Sequence, residues 1–309
     1  MNCHQVLIPK QKILHFIVGL NDGGAEAVLY RLCAGDAQCT HVVISMMDEG
    51  KYGPLLQHAG VQVHCLQMPR GRMTFKGVLH LYRLIRSHRP DVVQTWMYHA
   101  DLMGGVVAKL LGIKRVCWGL HHANLAADAV KGVTGVIARL CGFLSYYIPN
   151  VIVSCSQEAV RVHTEFAGYD AQKFIVIPNG VDLTNFTPDV AARNRVRETM
   201  SVQTDDFVVG MVARFDPQKD HANLLAAVGL LKKQGQYLHC VLVGTGMDSS
   251  NQALMGILSK EDVLDRVILL GRRDDISALM NAMDVHALSS YSEAFGNVLV
   301  EAMEIGRAS

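Results

Sequence analysis

Short apolar runs alternate along this chain with segments whose apolar positions recur at helical spacing. Residues 13–18, 40–46, 61–66, 90–94, 114–120, 151–156 and 174–177 read as strands. Residues 52–58, 78–87 and 100–111 read as helices, the last closed by Gly112. Ser156 is placed to cap the helix that follows it. A polar, charged stretch at 187–202 interrupts the pattern. Strands resume at 207–213, 238–243, 267–270 and 284–288. Helices start at His221 and near residue 275, the latter capped by Asp274 or Asp275. Strands alternating with helices predict an α/β fold of doubly wound parallel sheets. The polar break divides it into residues 1–186 and 187–309, two domains of ordinary size. Segment 132–148 is apolar with Arg139 in its middle. It reads as a core or domain-facing helix, an amphipathic surface helix being the alternative.

In such sheets ligands sit beyond the carboxyl ends of the strands, so the loops that leave those ends carry the chemistry. The richest is Glu293-Ala294-Phe295-Gly296-Asn297-Val298-Leu299-Val300-Glu301. The pattern puts Glu293 in a strand-to-helix loop and Glu301 about two turns into a helix that opens at Phe295. The amides of Phe295, Gly296 and Asn297 would then be unpaired donors at a positive dipole end, suited to a diphosphate. A carboxylate that accepts two hydroxyl hydrogen bonds reads a vicinal diol. Spacing alone sooner suggests two ordinary carboxylates, one favoured by the dipole at the helix start and one solvated.

Arg214 and Lys219 leave another strand end just before a helix, as a diphosphate clamp or as a solvated charged loop. Gly23-Gly24 lies between a strand and a helix. That turn is a candidate anion site, although it is not the full dinucleotide fingerprint and no P-loop lysine follows. Gly244-Thr245-Gly246 is a close-approach loop. His121 and His122, with Trp96 and His99, fall at strand ends of the first half. Hydrogen bonding to a ligand suits them better than zinc, because no third ligand is spaced to help.

Composition narrows the classes. A formal net charge of +1 sets up no field for nucleic acid. The eight cysteines form no Cys-x-x-Cys pair and read as reduced thiols. The first dozen residues lack the apolar core of a signal peptide, and no uncharged run is long enough to span a bilayer. The expected location is therefore cytoplasmic, with peripheral contact on the inner membrane face as a further expectation. Residues 70–89 alternate basic and apolar positions that could touch anionic lipid or form a solvated helix face.

Taken together, the motifs resemble the retaining, nucleotide-sugar-dependent glycosyltransferases of family four. The matches run in order along nearly the whole chain. They are Gly23-Gly24-Ala25-Glu26, Pro90-Asp91-Val92-Val93, Ile177-Pro178-Asn179-Gly180-Val181-Asp182, Gly210-Met211-Val212-Ala213-Arg214 with Gln218-Lys219-Asp220, Val243-Gly244-Thr245-Gly246, and the two glutamates with seven residues between them. The resemblance implies a GT-B fold, two Rossmann-like domains facing a cleft.

It also implies roles. Arg214 and Lys219 would neutralise the diphosphate, with the Phe295, Gly296 and Asn297 amides nearby. Glu301 would take the ribose hydroxyls and Glu293 those of the donor sugar. Gly271 and Arg272 would lie near the base, and the Gly23-Gly24 turn would close over diphosphate and sugar. His121 would contact the sugar, with His122 as the backup. The reaction implied is transfer of a hexose-type sugar from a UDP-linked donor to a glycan or lipid-linked acceptor in cell-surface polysaccharide synthesis. No cofactor or metal is required. A nucleotide-sugar-binding remnant without catalysis and a UDP-sugar epimerase are the alternatives.

The family continues past the second glutamate with a glycine, a proline and a further strand. Here Gly306 is followed by Arg307-Ala308-Ser309. The expectation is a truncated chain, roughly 60 residues short of a typical relative, with an incomplete second domain and an exposed sheet edge. Such a chain is expected to be less stable, and its activity is left open.

Overall fold

The computed structural model describes residues 10–21, 23–121, 132–181 and 183–307. It divides into two compact units between Asn179 and Gly180. His122, Asp182, Ala308 and Ser309 lie outside the described residues.

The first unit runs β1 (Lys12–Ile17), α1 (Gly24–Gly35), β2 (Thr40–Ser45), α2 (Tyr52–His58), β3 (Gln62–Cys65), α3 (Phe75–His88), β4 (Val92–Trp96), α4 (Tyr98–Leu110), β5 (Val116–Leu120), α5 (Val133–Ser145), β6 (Val151–Ser154), α6 (Gln157–Ala167) and β7 (Phe174–Val176). Its sheet has the order β3-β2-β1-β4-β5-β6-β7, every pair parallel. The order reverses between β1 and β4, which opens a switch-point crevice at their carboxyl ends. The strands are nearly continuous apolar runs because helices cover both faces. Leu14, Phe16 and Ile17 of β1 are fully buried. At Gly104 of α4 an added Cβ would lie 2.5 Å from the Phe16 ring, so glycine lets this helix press onto β1. Thr74 caps α3 and Ser156 caps α6, each accepting from an amide of the first turn.

Two readings shift here. The helix α5 is buried along Ile137, Ala138 and Cys141, but Val133, Val136, Leu140 and Phe143 are exposed, so it is core on one side only. The helix α3 starts earlier than its periodicity implied because Thr74 supplies the cap, and its outer face carries Phe75, Lys76, Arg83 and Arg86 in the open. No helix among the described residues is long and apolar enough to cross a membrane.

The second unit runs α7 (Val190–Thr199), β8 (Val208–Val212), α8 (His221–Lys233), β9 (His239–Val243), α9 (Gln252–Lys260), β10 (Val267–Leu269), α10 (Ile276–Ala282), β11 (Val285–His286) and α11 (Asn297–Ile305). Its sheet is parallel with the order β10-β9-β8-β11. The last strand is shorter than the apolar run 284–288 implied, because Asp284 is spent on a side-chain network. Its Oδ2 accepts from the Val208 amide and from Arg197 Nη2, and its Oδ1 from Arg193 Nη2. Burial pushes the Asp284 carboxyl up, but the Val208 amide and the two guanidinium groups outweigh it and hold the group below its ordinary value. Asp275 stands at the cap of α10 as read, yet its carboxylate is taken by Arg273 at 2.8 and 2.7 Å rather than by a helix amide.

Two histidines of this unit set a pH dependence. Burial pushes His286 and His221 down to about 4. The fold favours their neutral forms, so the stability they contribute is complete above the unfolded value of about 6.5 and is lost as pH falls through about 4. Thermal melts at pH 7.5, 6.0 and 4.5 are expected to show a falling Tm already at pH 6.0 to 4.5, before the carboxylates titrate. A Tm constant down to pH 5 would refute this.

Candidate active site

Because both sheets are parallel, each presents its ligand-facing loops along one edge. In the second unit the loop after β8 carries Arg214, Asp216 and Lys219, and the loop after the neighbouring β11 carries Glu293. Asp216 opens the turn Pro217–Lys219. Its Oδ1 accepts from the Gln218 amide at 3.0 Å and its Oδ2 from Arg214 Nε at 3.2 Å. Asp220 then takes a left-handed φ of 48° and caps α8 through the Asn223 amide.

Five hydrogen bonds stitch this turn to the loop after β11. The Tyr291 amide donates to the Gln218 carbonyl, and the Gln218 side chain donates to the Ser292 carbonyl. The Ser289 hydroxyl donates to the carbonyls of Lys219 and Asp220 at 3.1 and 2.8 Å. The Lys219 ammonium donates to Glu293 Oε1 in a half-buried ion pair. Two residues assigned from sequence to opposite ends of a sugar-phosphate bond are therefore direct neighbours.

The other assignments are placed less tightly. Arg214 is largely exposed and pairs with Asp216. Burial pushes the Asp216 carboxyl up, but the Gln218 amide and Arg214 more than offset this and hold it below its ordinary value. The helix α11 opens at Asn297 with Gly296 as its cap, at a left-handed φ of 73°, and no side chain occupies the cap. Phe295 therefore precedes the helix rather than opening it, and its amide is not one of the helix-end donors. Glu301 lies partly buried in the second turn of α11. It is nearer the N-terminus than a helix opening at Phe295 would put it. Gly271 takes a φ of 62°, donates to the Met247 carbonyl and accepts from the Gly244 amide. Arg272 beside it is exposed. At Gly244 a Cβ would sit 2.2 Å from the Ala213 carbonyl oxygen, which is why the β8 and β9 exit loops can touch.

Behind Lys219, His221 is buried against the Phe215 ring at 5.6 Å. Burial and the nearby Lys219 charge hold it neutral, so it adds no competing cation. Sequence reasoning missed Gln218, Ser289 and His221. The first two are polar residues in polar loops, and only the pairing of β8 with β11 reveals what they join.

In the first unit the carboxyl ends of β1, β4 and β5 lie side by side. Gly23 caps α1 and Gly24 is its first residue, with no side-chain cap. A Cβ at Gly23 would meet Glu26 Oε2 at 2.2 Å. His121 follows β5, and its ring stacks on Trp96 at 5.0 Å and 13°. Met97, next along the chain, has a φ of 71° that side chains rarely adopt. Among the described residues no second histidine joins His121 in a group of metal ligands.

A family profile described as Glycosyltransferase Family 4 matches residues 22–185, more than half of the chain. The chain belongs to glycosyltransferase family 4. A second profile, Glycosyl transferases group 1, matches residues 193–308 and so covers the unit that carries Lys219 and Glu293. EpsF of Bacillus subtilis, named as a glycosyltransferase, is 26% identical over 96% of this chain and 78% of its own length. An Escherichia coli UDP-Gal:alpha-D-GlcNAc-diphosphoundecaprenol alpha-1,3-galactosyltransferase is 26% identical over 75% of this chain and 60% of its own. Among solved structures, Anabaena HepE in complex with UDP-glucose superposes with a TM-score of 0.81 at 24% identity, covering 96% of this chain and 80% of that one. The fold is GT-B, as the two parallel sheets and these neighbours show.

Proposed function

We propose that this family-4 chain transfers a hexose-type sugar from a UDP-linked donor to a glycan or lipid-linked acceptor, with retention of configuration. The observation that carries the reading is the Lys219–Glu293 pair, held at adjacent strand ends with the uncapped start of α11 in the same loop. A cation and helix-end amides suit a departing diphosphate, and a carboxylate suits sugar hydroxyls. The UDP-glucose bound by HepE and the UDP-galactose named for the Escherichia coli relative support a uridine nucleotide. The undecaprenyl diphosphate in that relative's name supports a lipid-linked acceptor. Contact with an anionic membrane surface through Lys76, Arg83 and Arg86 on α3 belongs to the same reading.

In the step we assign, the bond from the anomeric carbon to phosphate breaks and a bond to the acceptor oxygen forms on the same face. The acceptor's proton passes to the leaving diphosphate. Lys219 and Arg214 offset the charge that builds there. Glu293 orients the sugar and is not a nucleophile. Glu301 holds the ribose hydroxyls, Gly271 and Arg272 line the base, and in the first unit His121 donates to a sugar hydroxyl.

The test is a panel of UDP-hexoses assayed for released UDP with and without a polyprenyl-diphosphate acceptor. Release that depends on acceptor supports transfer. Thermal stabilisation by UDP without any release would overturn it in favour of binding alone. Within this reading Glu301→Gln is expected to raise KM for the donor about 10- to 100-fold with kcat within about threefold, as loss of a charged hydrogen bond made in ground and transition states alike. An unchanged KM would remove Glu301 from the site.

A further inference from the structure

Four adjacent strands of the first sheet carry a diagonal line of polar rings across one face. The register sets Ile13 opposite His41, His15 opposite Gln94 and Trp96 opposite Gly119. Stepping one strand over and two residues along leads from His41 on β2 to His15 on β1, to Trp96 on β4, and to His121 just past β5. Side chains alternate faces with a period of two, so all four lie on the same face.

Hydrogen bonds run along the first three. The Trp96 indole N–H donates to His15 Nδ1 at 3.3 Å, which makes Nδ1 the unprotonated nitrogen. His15 Nε2–H then donates to His41 Nδ1 at 2.9 Å, and His41 Nε2–H to Asp36 Oδ2 at 3.2 Å. Asp36 is itself held by the Gln38 and Cys39 amides at 2.8 and 3.3 Å. One tautomer at each ring satisfies every nitrogen in the chain. Such a fully satisfied buried network specifies one arrangement. His15 is completely buried, and burial with the neighbouring His41 pushes it down to about 3, so it keeps the neutral form this pattern requires. At the far end the indole lies flat against His121.

His15, Cys33 and His41 also bring their ligand atoms within 4.8 Å of one another, a spacing that would admit a metal ion. The hydrogen bonds argue against it. A histidine bound through Nε2 carries its proton on Nδ1, where His15 instead faces the Trp96 donor. Burial also pushes the Cys33 thiol up to about 12, far from a thiolate ligand.

We propose that Asp36, His41 and His15 form a positioning relay that fixes the indole plane of Trp96 and, through it, the imidazole of His121. The proposal deepens the reading above and rests on His121 contacting a sugar hydroxyl. None of the three relay residues touches substrate.

The test combines spectroscopy and turnover on the full chain. The Trp96 indole N–H, assigned by its loss in Trp96→Phe, is expected as a downfield, slowly exchanging resonance. The His121 ring protons are expected to be shifted upfield by the indole face. His15→Leu should erase both features, while His15→Asn, whose carboxamide oxygen still accepts from the indole, should keep both. With UDP-glucose or UDP-galactose as donor, His15→Leu is expected to lower kcat about tenfold with KM within about twofold. It should have no further effect in a His121→Ala background. Should His15→Leu not fold, Trp96→Phe deletes the same N–H, keeps an aromatic face and is expected to lose the same kcat. Indole and His121 signals unchanged by His15→Leu would overturn the relay. So would kcat losses that multiply in the double variant, or a thiolate charge-transfer band on adding Co2+. If the wild-type chain turns over neither donor, the functional reading fails, while the two resonances still decide the relay.

Discussion

Lys219→Ala is expected to lower kcat for sugar transfer by about 10²- to 10³-fold, the scale on which one preorganised donor to a developing anion acts. The ammonium is already in place before any donor arrives, held by Glu293 and by a turn pinned at Gln218 and Ser289. Little reorganisation is then needed when the glycosyl-phosphate bond breaks. On the proposed reading the departing diphosphate meets an ammonium whose position is already fixed by its carboxylate partner.

Arg214→Ala should cost less, about tenfold, because its side chain is 57% exposed and solvent screens it. Steady-state rates of UDP release for wild type, K219A and R214A would check both magnitudes, with melting curves to confirm folding. A K219A enzyme within about threefold of wild type, or an R214A defect exceeding it, would remove the ion pair from the chemistry.

Much of this frame was legible in the chain. Continuous apolar runs could only be strands covered on both faces, so β1, β2, β8 and β9 were found within a residue or two of their ends. The exit loops after β8 and β11 were singled out because cations and carboxylates gathered where helices begin. What the sequence could not convey was pairing. Lys219 and Glu293 are far apart along the chain and meet only because β11 lies beside β8. His15 and His41 read as ordinary members of strand runs. Their alignment with Trp96 needs the register of three strands, which no local pattern encodes. Asp284 was counted into a strand because its neighbours are apolar, whereas two arginines from α7 claim its carboxylate. The start of α11 moved past Phe295 because the left-handed Gly296 sets the cap, a backbone choice that apolar spacing does not report.

Those two arginines carry the second large effect. Arg197→Ala is expected to destabilise the second unit by about 3–5 kcal/mol, the range for breaking one side of a buried, hydrogen-bonded charge network. The Arg197 side chain is 2% exposed. Its guanidinium donates to the carbonyls of Ala282, Gln203, Thr204 and Asp206 and to Asp284 Oδ2, at distances from 2.7 to 3.0 Å. Truncation orphans several main-chain acceptors at once and loosens the carboxylate that fixes the starts of β8 and β11, the strands whose exits hold Lys219 and Glu293. By contrast Arg161→Ala on α6, whose two carboxylate partners are exposed like itself, should leave the unfolding transition close to that of the wild type.

Both tryptophans lie in the first unit, so their fluorescence reports on that unit while far-UV circular dichroism reports on both. In urea, R197A should show a circular dichroism transition shifted well below that of the wild type, with the fluorescence transition moved much less. A loss no larger than that of R161A, or a fluorescence transition that moves first, would mean that this network does not hold the second sheet together.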